Sequence, residues 1–297
     1  MYDIIIIGAG PAGLTSAIYA KRSNKNVLVL EANTYGGQII TTNKIDNYPA
    51  APHISGYDFA TNLYNQVVEL GADIKFEKAI EIENGKVKKV KTDKDTYEAK
   101  AVIIAIGVRN RNLNIKGEKE LLGKGVSYCA NCDGMFYKNK TVAVVGAGNT
   151  AIDDALYLSN ICKKVYLIHR NENFKAADSS VKKLQKKDNV EFILNTNVVS
   201  INGKDNVEDI DINKEDKISN LKVDAIFIAI GQIPENNNLT KDLKLDENGY
   251  IKANKNLETN LKGVYVAGDI RPKTLRQLVT ATSDGAIAAV NAIKSIK

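Results

Sequence analysis

The sequence predicts an α/β protein of two Rossmann-like domains, the second inserted into the first, and three observations carry that prediction. Two glycine-rich loops, Gly8-Ala9-Gly10-Pro11-Ala12-Gly13 and Gly146-Ala147-Gly148-Asn149-Thr150-Ala151, each follow a continuously apolar strand. Each unit also has a late apolar strand closing in Ala-Ile-Gly, over 101–107 in the first and 225–231 in the second. Such a doubled pattern points to two homologous nucleotide-binding units. The C-terminal part repeats only the apolar strand, over 263–269, without a third glycine loop, so it is expected to return and complete the first domain. The first domain is thus expected over 1–112 and 243–297, and the second over 113–242.

The elements follow in order. Tyr2-Asp3-Ile4-Ile5-Ile6-Ile7 is apolar without alternation at its centre, as a strand buried on both faces must be. A helix over 11–23 carries Leu14, Ala17 and Ile18 at helical spacing, and a strand over 26–30 ends in Glu31. Strand, glycine loop, helix and strand in this order are the context that gives the glycine motif meaning. In the second unit Thr141-Val142-Ala143-Val144-Val145 leads into the loop. A helix through Ala155, Leu156 and Leu158 follows, and then Lys164-Val165-Tyr166-Leu167-Ile168 runs into His169-Arg170. A last helix is expected over 275–294.

Composition narrows the class. The 297 residues are 44% hydrophobic and 26% charged, ordinary for a globular protein with room for two cores. The most apolar stretch, 4–14, is short and broken by Gly8, Gly10, Pro11 and Gly13, so no membrane span is expected. The first strand is placed too early to leave a signal peptide. A net charge of +6 suits anionic cofactors or an acidic partner, and equally a surface rich in Lys. The basic residues form no stripe interleaved with aromatics, which argues against nucleic-acid binding. Three cysteines without a leader argue for a reducing compartment, and cytoplasmic residence is the expectation.

A glycine loop that opens a helix offers free backbone N–H groups and the positive helix end to a pyrophosphate. The residue closing the second strand selects the ribose, because a carboxylate hydrogen-bonds free hydroxyls and repels a phosphate. Glu31 therefore fits a nucleotide with an unmodified ribose, such as FAD. Arg170, after His169, puts a cation at the equivalent place, which favours the 2′-phosphate of NADP. The competing reading of Glu31 and Arg170 is a solvated strand end.

Between the loops lies Cys129-Ala130-Asn131-Cys132-Asp133. Alone, such a pair is a redox dithiol, half of a zinc site or two unrelated thiols. Flanked by two nucleotide loops, it reads as a dithiol that exchanges electrons with bound cofactors. A thiol at a helix start has its pKa lowered by the helix end. Asp133 has two readings, a proton carrier in thiol–disulfide exchange or a helix-capping acid. Zinc needs four ligands, and beyond the pair only Cys162, His53 and His169 remain, without paired spacing, so no metal is expected. Cys162 is expected as a small buried hydrophobe, and His53 in a solvated turn.

A longer set of segments joins these: Gly36-Gly37-Gln38, Asn47-Tyr48-Pro49, Ala105-Ile106-Gly107, Cys132-Asp133-Gly134, Gly268-Asp269, and Arg276-Gln277-Leu278-Val279-Thr280-Ala281 with Asp284-Gly285. With both glycine loops and His169-Arg170, they make the sequence resemble the bacterial low-molecular-weight thioredoxin reductases over essentially its whole length. The larger glutathione-reductase type places its cysteines just after the first loop and adds a dimerisation domain, and this chain does neither.

The resemblance implies an FAD domain, an inserted pyridine-nucleotide domain carrying the dithiol, and a homodimer. FAD would be held by Gly8, Gly10, Pro11, Ala12, Gly13, Glu31, Gly37, Gln38, Asn47, Gly107, Gly268, Asp269, Arg276 and Gln277. The nicotinamide nucleotide would be held by Gly146, Gly148, Asn149, Thr150, Ala151, His169, Arg170 and Lys175. Cys132 would face the flavin, Cys129 would attack the thioredoxin disulfide, and Asp133 would serve as acid and base. The connections near 110–116 and 236–245 would be hinges between two domain orientations.

One departure bears on the electron donor. Where the family has His-Arg-Arg-x-x-x-Arg, this chain reads His169-Arg170-Asn171-Glu172-Asn173-Phe174-Lys175. Lys175 can act as a point charge but cannot make the bidentate fork of an arginine. NADPH is the expected donor and NADH the alternative. The implied activity is thioredoxin-disulfide reduction. The alternatives are an NADH-preferring reductase of a thioredoxin- or glutaredoxin-like protein, a ferredoxin–NADP reductase, whose relatives lack the cysteine pair, and a redox sensor without turnover.

Overall fold

A computed structural model describes the chain except for residues 43, 236–238, 240 and 297. It divides into two units, Met1–Arg109 with Ile233–Lys297, and Asn110–Gln232. In chain order the first contributes β1 (Tyr2–Ile7), α1 (Pro11–Arg22), β2 (Val27–Glu31), α2 (Gly56–Glu69), β3 (Asp73–Phe76), β4 (Ala79–Glu83), β5 (Lys88–Thr92) and β6 (Thr96–Ile104). After β7 (Val108–Asn110) come β8 (Val126–Ser127), α3 (Ala130–Asp133), β9 (Thr141–Val145), α4 (Asn149–Ser159), β10 (Lys164–Ile168) and α5 (Asp178–Gln185). The second unit continues with β11 (Val190–Ile193), β12 (Thr196–Asn202), β13 (Asp209–Lys214), β14 (Lys217–Lys222) and β15 (Ala225–Ile228). β16 (Gln232–Pro234) pairs with β7, and β17 (Val264–Val266) and α6 (Leu278–Ser295) finish the first unit.

In the first unit, β1 lies between β2 and β6, parallel to both. Ile4, Ile5 and Ile6 are fully buried, which explains why the strand shows no alternation. Its two faces feed two cores. Ile4 and Ile6 pack with Leu14 of α1 and Ala288 and Ala292 of α6, while Ile5 and Ile7 pack with Leu239, Leu243 and Ile251. β6 changes partner along its length, pairing antiparallel with β5 at Thr96–Ala99 and parallel with β17 at Val102–Ile104.

α6 lies closely on α1. A Cβ built on Gly285 would stand 2.2 Å from the Ala12 carbonyl oxygen, so only glycine permits this approach. The buried Ser16 hydroxyl lies 2.9 Å from both the Ala12 and Gly285 carbonyls and shares its proton between them.

The second unit has a five-stranded parallel sheet in the order β11-β10-β9-β15-β8, with the antiparallel meander β12-β13-β14 beside it. Val142 and Val144 face a core with Ala151, Ile152 and Leu158 of α4, and Ala143 and Val145 face one with Val198, Ile210 and Ile212 of the meander.

Several boundaries differ from expectation for local reasons. Ile233, Pro234, Glu235, Leu239, Lys241 and Asp242, placed in the second domain from sequence, lie with the first unit, where Leu239 is 1% exposed and its carbonyl accepts from the Ile82 N–H at 2.6 Å, while Asn110, Arg111 and Asn112, placed in the first, lie with the second. Residues 236–238 and 240 of the expected hinge are outside the described residues. The late strands end at Ile104 and Ile228 rather than at Gly107 and Gly231, because the chain turns through those glycines with φ of 67° and 102°. The last helix starts at Leu278 rather than 275, since Gln277 and Thr280 form a capping box there. Among the described residues no helix is long and apolar enough to cross a membrane, and no group of His, Cys, Asp or Glu is placed to hold a metal ion.

Two stability predictions follow from this packing. Gly285→Val forces α6 off α1 and is expected to lower Tm by roughly 4–10 °C, the effect of ~2–3 kcal/mol of overpacking. Scanning calorimetry reads it, and an unchanged Tm would mean that α6 shifts without cost. In α4, Asp154 is 7% exposed, and its carboxyl is pushed up to about 7, first by burial and then by Asp153. A carboxyl raised on folding favours the native state at low pH, and that advantage is lost as pH rises through the raised value. Asp154→Asn is therefore expected to stabilise the protein near about pH 8, on the order of 1–3 kcal/mol, and to leave it unchanged near about pH 4. Equal stabilisation at both pH values would assign the effect to shape rather than charge.

Candidate active site: two nucleotide cradles and a dithiol

α1 begins at Gly10, with Pro11 in its first turn, and no described side chain caps it. Its first N–H groups are therefore left for an external anion. The space beside them is open. A Cβ on Gly10 or on Gly107 would meet nothing within 4 Å. Gly13 is needed for a different reason, since a Cβ there would lie 1.8 Å from the Gly8 carbonyl oxygen. Glu31 sits at the loop, as expected from its place at the end of β2. Its Oε2 accepts from the Ala9 N–H at 2.7 Å and its Oε1 from the Asn33 N–H at 2.9 Å.

Gly36, Gly37 and Gly268 approach the same loop and the first turn of α1, and the other expected residues find partners of their own. The Gly36 N–H donates to the Ala9 carbonyl at 2.8 Å, and a Cβ on Gly37 would stand 3.4 Å from the Gly10 Cα. Gln38 donates through Nε2 to the Val108 carbonyl at 2.5 Å. Gly268 lies against Ala12 in the first turn of α1, whose Cβ is 3.0 Å from where its own would be. Asn47 and Gln277, distant in sequence, meet through an Nδ2–Oε1 hydrogen bond of 3.0 Å. The Arg276 guanidinium lies 4.4 Å from the Tyr250 ring centroid, and its Nε is buried with no acceptor among the described residues. An uncapped helix, open glycines and an orphaned guanidinium nitrogen fit an anionic dinucleotide.

Asp284, not singled out from sequence as a site residue, organises one side of this cradle. It accepts from Arg271 Nε and Nη2 at 2.8 Å each, from Lys273 Nζ at 2.9 Å and from the Gly268 N–H at 3.1 Å. Burial raises its carboxyl, but the hydrogen bonds from Arg271 and Lys273 outweigh burial and hold it below the usual range. Its contribution is present at neutral pH and lost as pH falls through that lowered value. Asp269 is raised, chiefly by burial, with Lys273 3.5 Å away pulling it down.

The second cradle repeats the first. α4 begins at Gly148 without a side-chain cap, and a Cβ on Gly148 would meet open space. The segment after His169 folds back to the loop, since the Lys175 N–H donates to the Ala147 carbonyl at 2.9 Å and the Ala177 N–H to Asn149 Oδ1 at 3.0 Å. Lys175, Arg170 and Asn171 are exposed. Glu172 accepts from Asn195 Nδ2 at 3.0 Å. Burial, followed by Arg170 and Lys175, lowers the His169 pKa against the pull of a backbone hydrogen bond with Asn173.

Cys129 and Cys132 form a disulfide, with Cα atoms 5.3 Å apart. Cys129 stands at the N-cap position of α3 without a side-chain cap bond, and α3 is a single turn that passes into a 3-10 turn over Gly134–Tyr137. One turn carries little macrodipole, so the lowered thiol pKa expected from a helix start has little to draw on. Asp133 caps neither turn. Its Oδ2 instead accepts from the buried Ser127 hydroxyl at 2.6 Å, and burial raises its carboxyl while that hydrogen bond pulls it down. Ser127 was missed from sequence, although Ser two residues before Cys is the spacing of a hydroxyl turn, and the Cys129 N–H does donate to it at 3.0 Å. The remaining thiol, Cys162, is buried in the α4 core and pushed up to about 11, first by burial and then by Asp224, so it is inert. His53 is exposed, and its Nδ1 lies 2.5 Å from Asp46 Oδ1.

Known proteins share this arrangement. The profile of the pyridine nucleotide-disulphide oxidoreductase family matches residues 2–285. The chain is 43% identical to the thioredoxin reductase of Mycoplasma genitalium, across 98% of this chain and 94% of that protein. It is 40% identical to that of Bacillus subtilis, across 97% and 93%. A solved thioredoxin reductase from Streptococcus pyogenes superposes with a TM-score of 0.96 at 38% identity, covering 100% of this chain and 98% of the other. The chain therefore belongs to the pyridine nucleotide-disulphide oxidoreductases and, within them, to the thioredoxin reductases.

Proposed function

We infer that this protein reduces the disulfide of thioredoxin or a thioredoxin-like protein, drawing electrons from NADPH through FAD and the Cys129–Cys132 pair. The observation that carries this reading is the disulfide itself, borne by the unit that also holds the second glycine cradle, in a chain that matches thioredoxin reductases end to end. Gly8 to Gly13, Glu31, Gly37, Gln38, Asn47, Gly107, Gly268, Asp269, Arg276 and Gln277 would hold FAD. Gly146 to Ala151, His169, Arg170 and Lys175 would hold NADPH. When bound, the two cofactors supply an electron pair, delivered as hydride and passed on to a disulfide.

The chain's own residues do the sulfur chemistry. Two electrons and two protons convert the Cys129–Cys132 disulfide to a dithiol. The Cys129 thiolate attacks one sulfur of the partner disulfide, forming a mixed disulfide and releasing a thiolate that takes a proton. The Cys132 thiolate then attacks the Cys129 sulfur, restoring the internal disulfide and freeing the reduced partner. Two electrons enter and two leave. Asp133, buried and raised in pKa, is the acid that protonates the leaving thiolate and the base that recovers the proton. Hinges at the two connections, a homodimer and cytoplasmic residence belong to the same reading and rest on the family resemblance.

The donor preference rests on Asn171 and Lys175. The exposed Arg170 and Lys175 supply positive charge for a 2′-phosphate, but the neutral Asn171 leaves the fork incomplete. NADH is thus the alternative donor. Asn171→Arg is expected to lower KM for NADPH about tenfold and to leave KM for NADH unchanged, as one added charge-assisted hydrogen bond would do. Steady-state kinetics with both nucleotides checks it, and a parallel fall in both would remove this position from phosphate recognition. Cys132→Ser is expected to abolish thioredoxin reduction while flavin reduction by NADPH proceeds at its normal rate in stopped flow. Loss of flavin reduction in that variant would count against the relay.

A further inference from the structure

We propose that Ser127 is a positioning residue for the exchange step, tying the Asp133 carboxyl to the Cys129 main chain and leaving Oδ1 as the oxygen that carries the exchanged proton. This rests on the acid and base role of Asp133 given above. Ser127 closes β8 and is 4% exposed. The Cys129 N–H donates to its Oγ at 3.0 Å, so one lone pair of the hydroxyl is engaged. The hydroxyl has a single proton to give and two acceptors in reach, Asp133 Oδ2 at 2.6 Å and the Cys129 carbonyl at 3.4 Å. The shorter contact, to a carboxylate, takes it.

Two consequences follow from that assignment. An oxygen already accepting from Ser127 is a poor place for a second proton, so a proton held by Asp133 sits on Oδ1. The carboxyl is also locked in orientation relative to the residue whose sulfur attacks the partner, because one hydroxyl joins the two.

The surroundings offer Asp133 no substitute. On its own turn, the Asp133 N–H donates to the Cys129 carbonyl at 3.1 Å. The following 3-10 turn adds Tyr137, whose phenol is raised by burial and then by Asp133 and Asp224. The packed helix α4 carries Tyr157, whose Cε1 would lie 2.9 Å from a Cβ on Gly134, and the buried Asp154. Phe227 of β15, paired with Ser127 of β8, is apolar. Ser127 is the one side-chain donor to Asp133 among the described residues.

The test uses flavin-loaded enzyme, reduced beforehand and mixed with oxidised thioredoxin in single-turnover stopped flow across the neutral pH range. Ser127→Ala is expected to slow exchange about tenfold, the effect of a lost hydrogen bond to a charged group. It should also move the Asp133 limb of the pH profile upward, since the lost bond favoured the carboxylate. Ser127→Thr should restore both. In an Asp133→Asn background, Ser127→Ala should cost nothing further. A wild-type rate and profile in Ser127→Ala, or a full additional loss in the double variant, overturns the proposal. Should Ser127→Ala fail to fold, Ser127→Thr and Ser127→Val are alike in shape and differ in the hydroxyl. Retention in Thr with loss in Val supports the assignment, and equal behaviour overturns it. Asp133→Asn exchanging at the wild-type rate would instead sink the acid and base role on which the proposal rests.

Discussion

Both units are organised around the same unmet demand, a helix whose first N–H groups have no partner within the described chain. α1 and α4 each start at a glycine, Gly10 and Gly148, where serine or aspartate would ordinarily cap the end. Leaving such a helix end uncapped is costly in a closed fold and useful only where an anion completes it. Much of the nearby structure keeps these ends open. Gly13 lets α1 rise steeply from β1, Glu31 holds the loop by the Ala9 N–H, and Gly268 lies against Ala12 in the first turn of α1.

The dithiol follows a different logic. Its helix is a single turn and supplies little field of its own, and beside it a buried acid accepts from a buried hydroxyl. Asp133 is raised by the same burial that makes Cys162 inert, yet the outcomes are opposite. A raised carboxyl holds its proton to higher pH than usual, whereas a raised thiol loses the thiolate that makes it reactive.

The charge network around Asp284 shows how far a site extends beyond the residues that a motif names. One buried carboxylate gathers Arg271, Lys273 and the Gly268 N–H, and through Lys273 it reaches Asp269. Burying those charges separately would cost far more than burying them together. The arrangement couples the strand end after β17 to the first turns of α6, the same helix that packs on α1 through Gly285.

Much of this was legible in the amino-acid order. The isoleucines of β1, the two glycine loops, the acid after β2 and the cysteine pair each announce a local requirement: burial on both faces, close backbone approach, ribose selection, a dithiol. Those requirements act between near neighbours in the chain, so residue type and spacing express them directly. What the sequence left open depended on contacts between distant segments. Asp133 had two readings, a proton carrier or a helix cap, and the fold gives its carboxyl the Ser127 hydroxyl as partner and no capping hydrogen bond. Arg276 rested on the family resemblance alone until the fold set its guanidinium over Tyr250, with Nε buried and without an acceptor among the described residues. Residues 233–242 read as part of the inserted domain until Leu239 filled the core beneath β1. In each case the deciding quantity was burial or a long-range partner, and these come into being only when strands and helices far apart in sequence pack together.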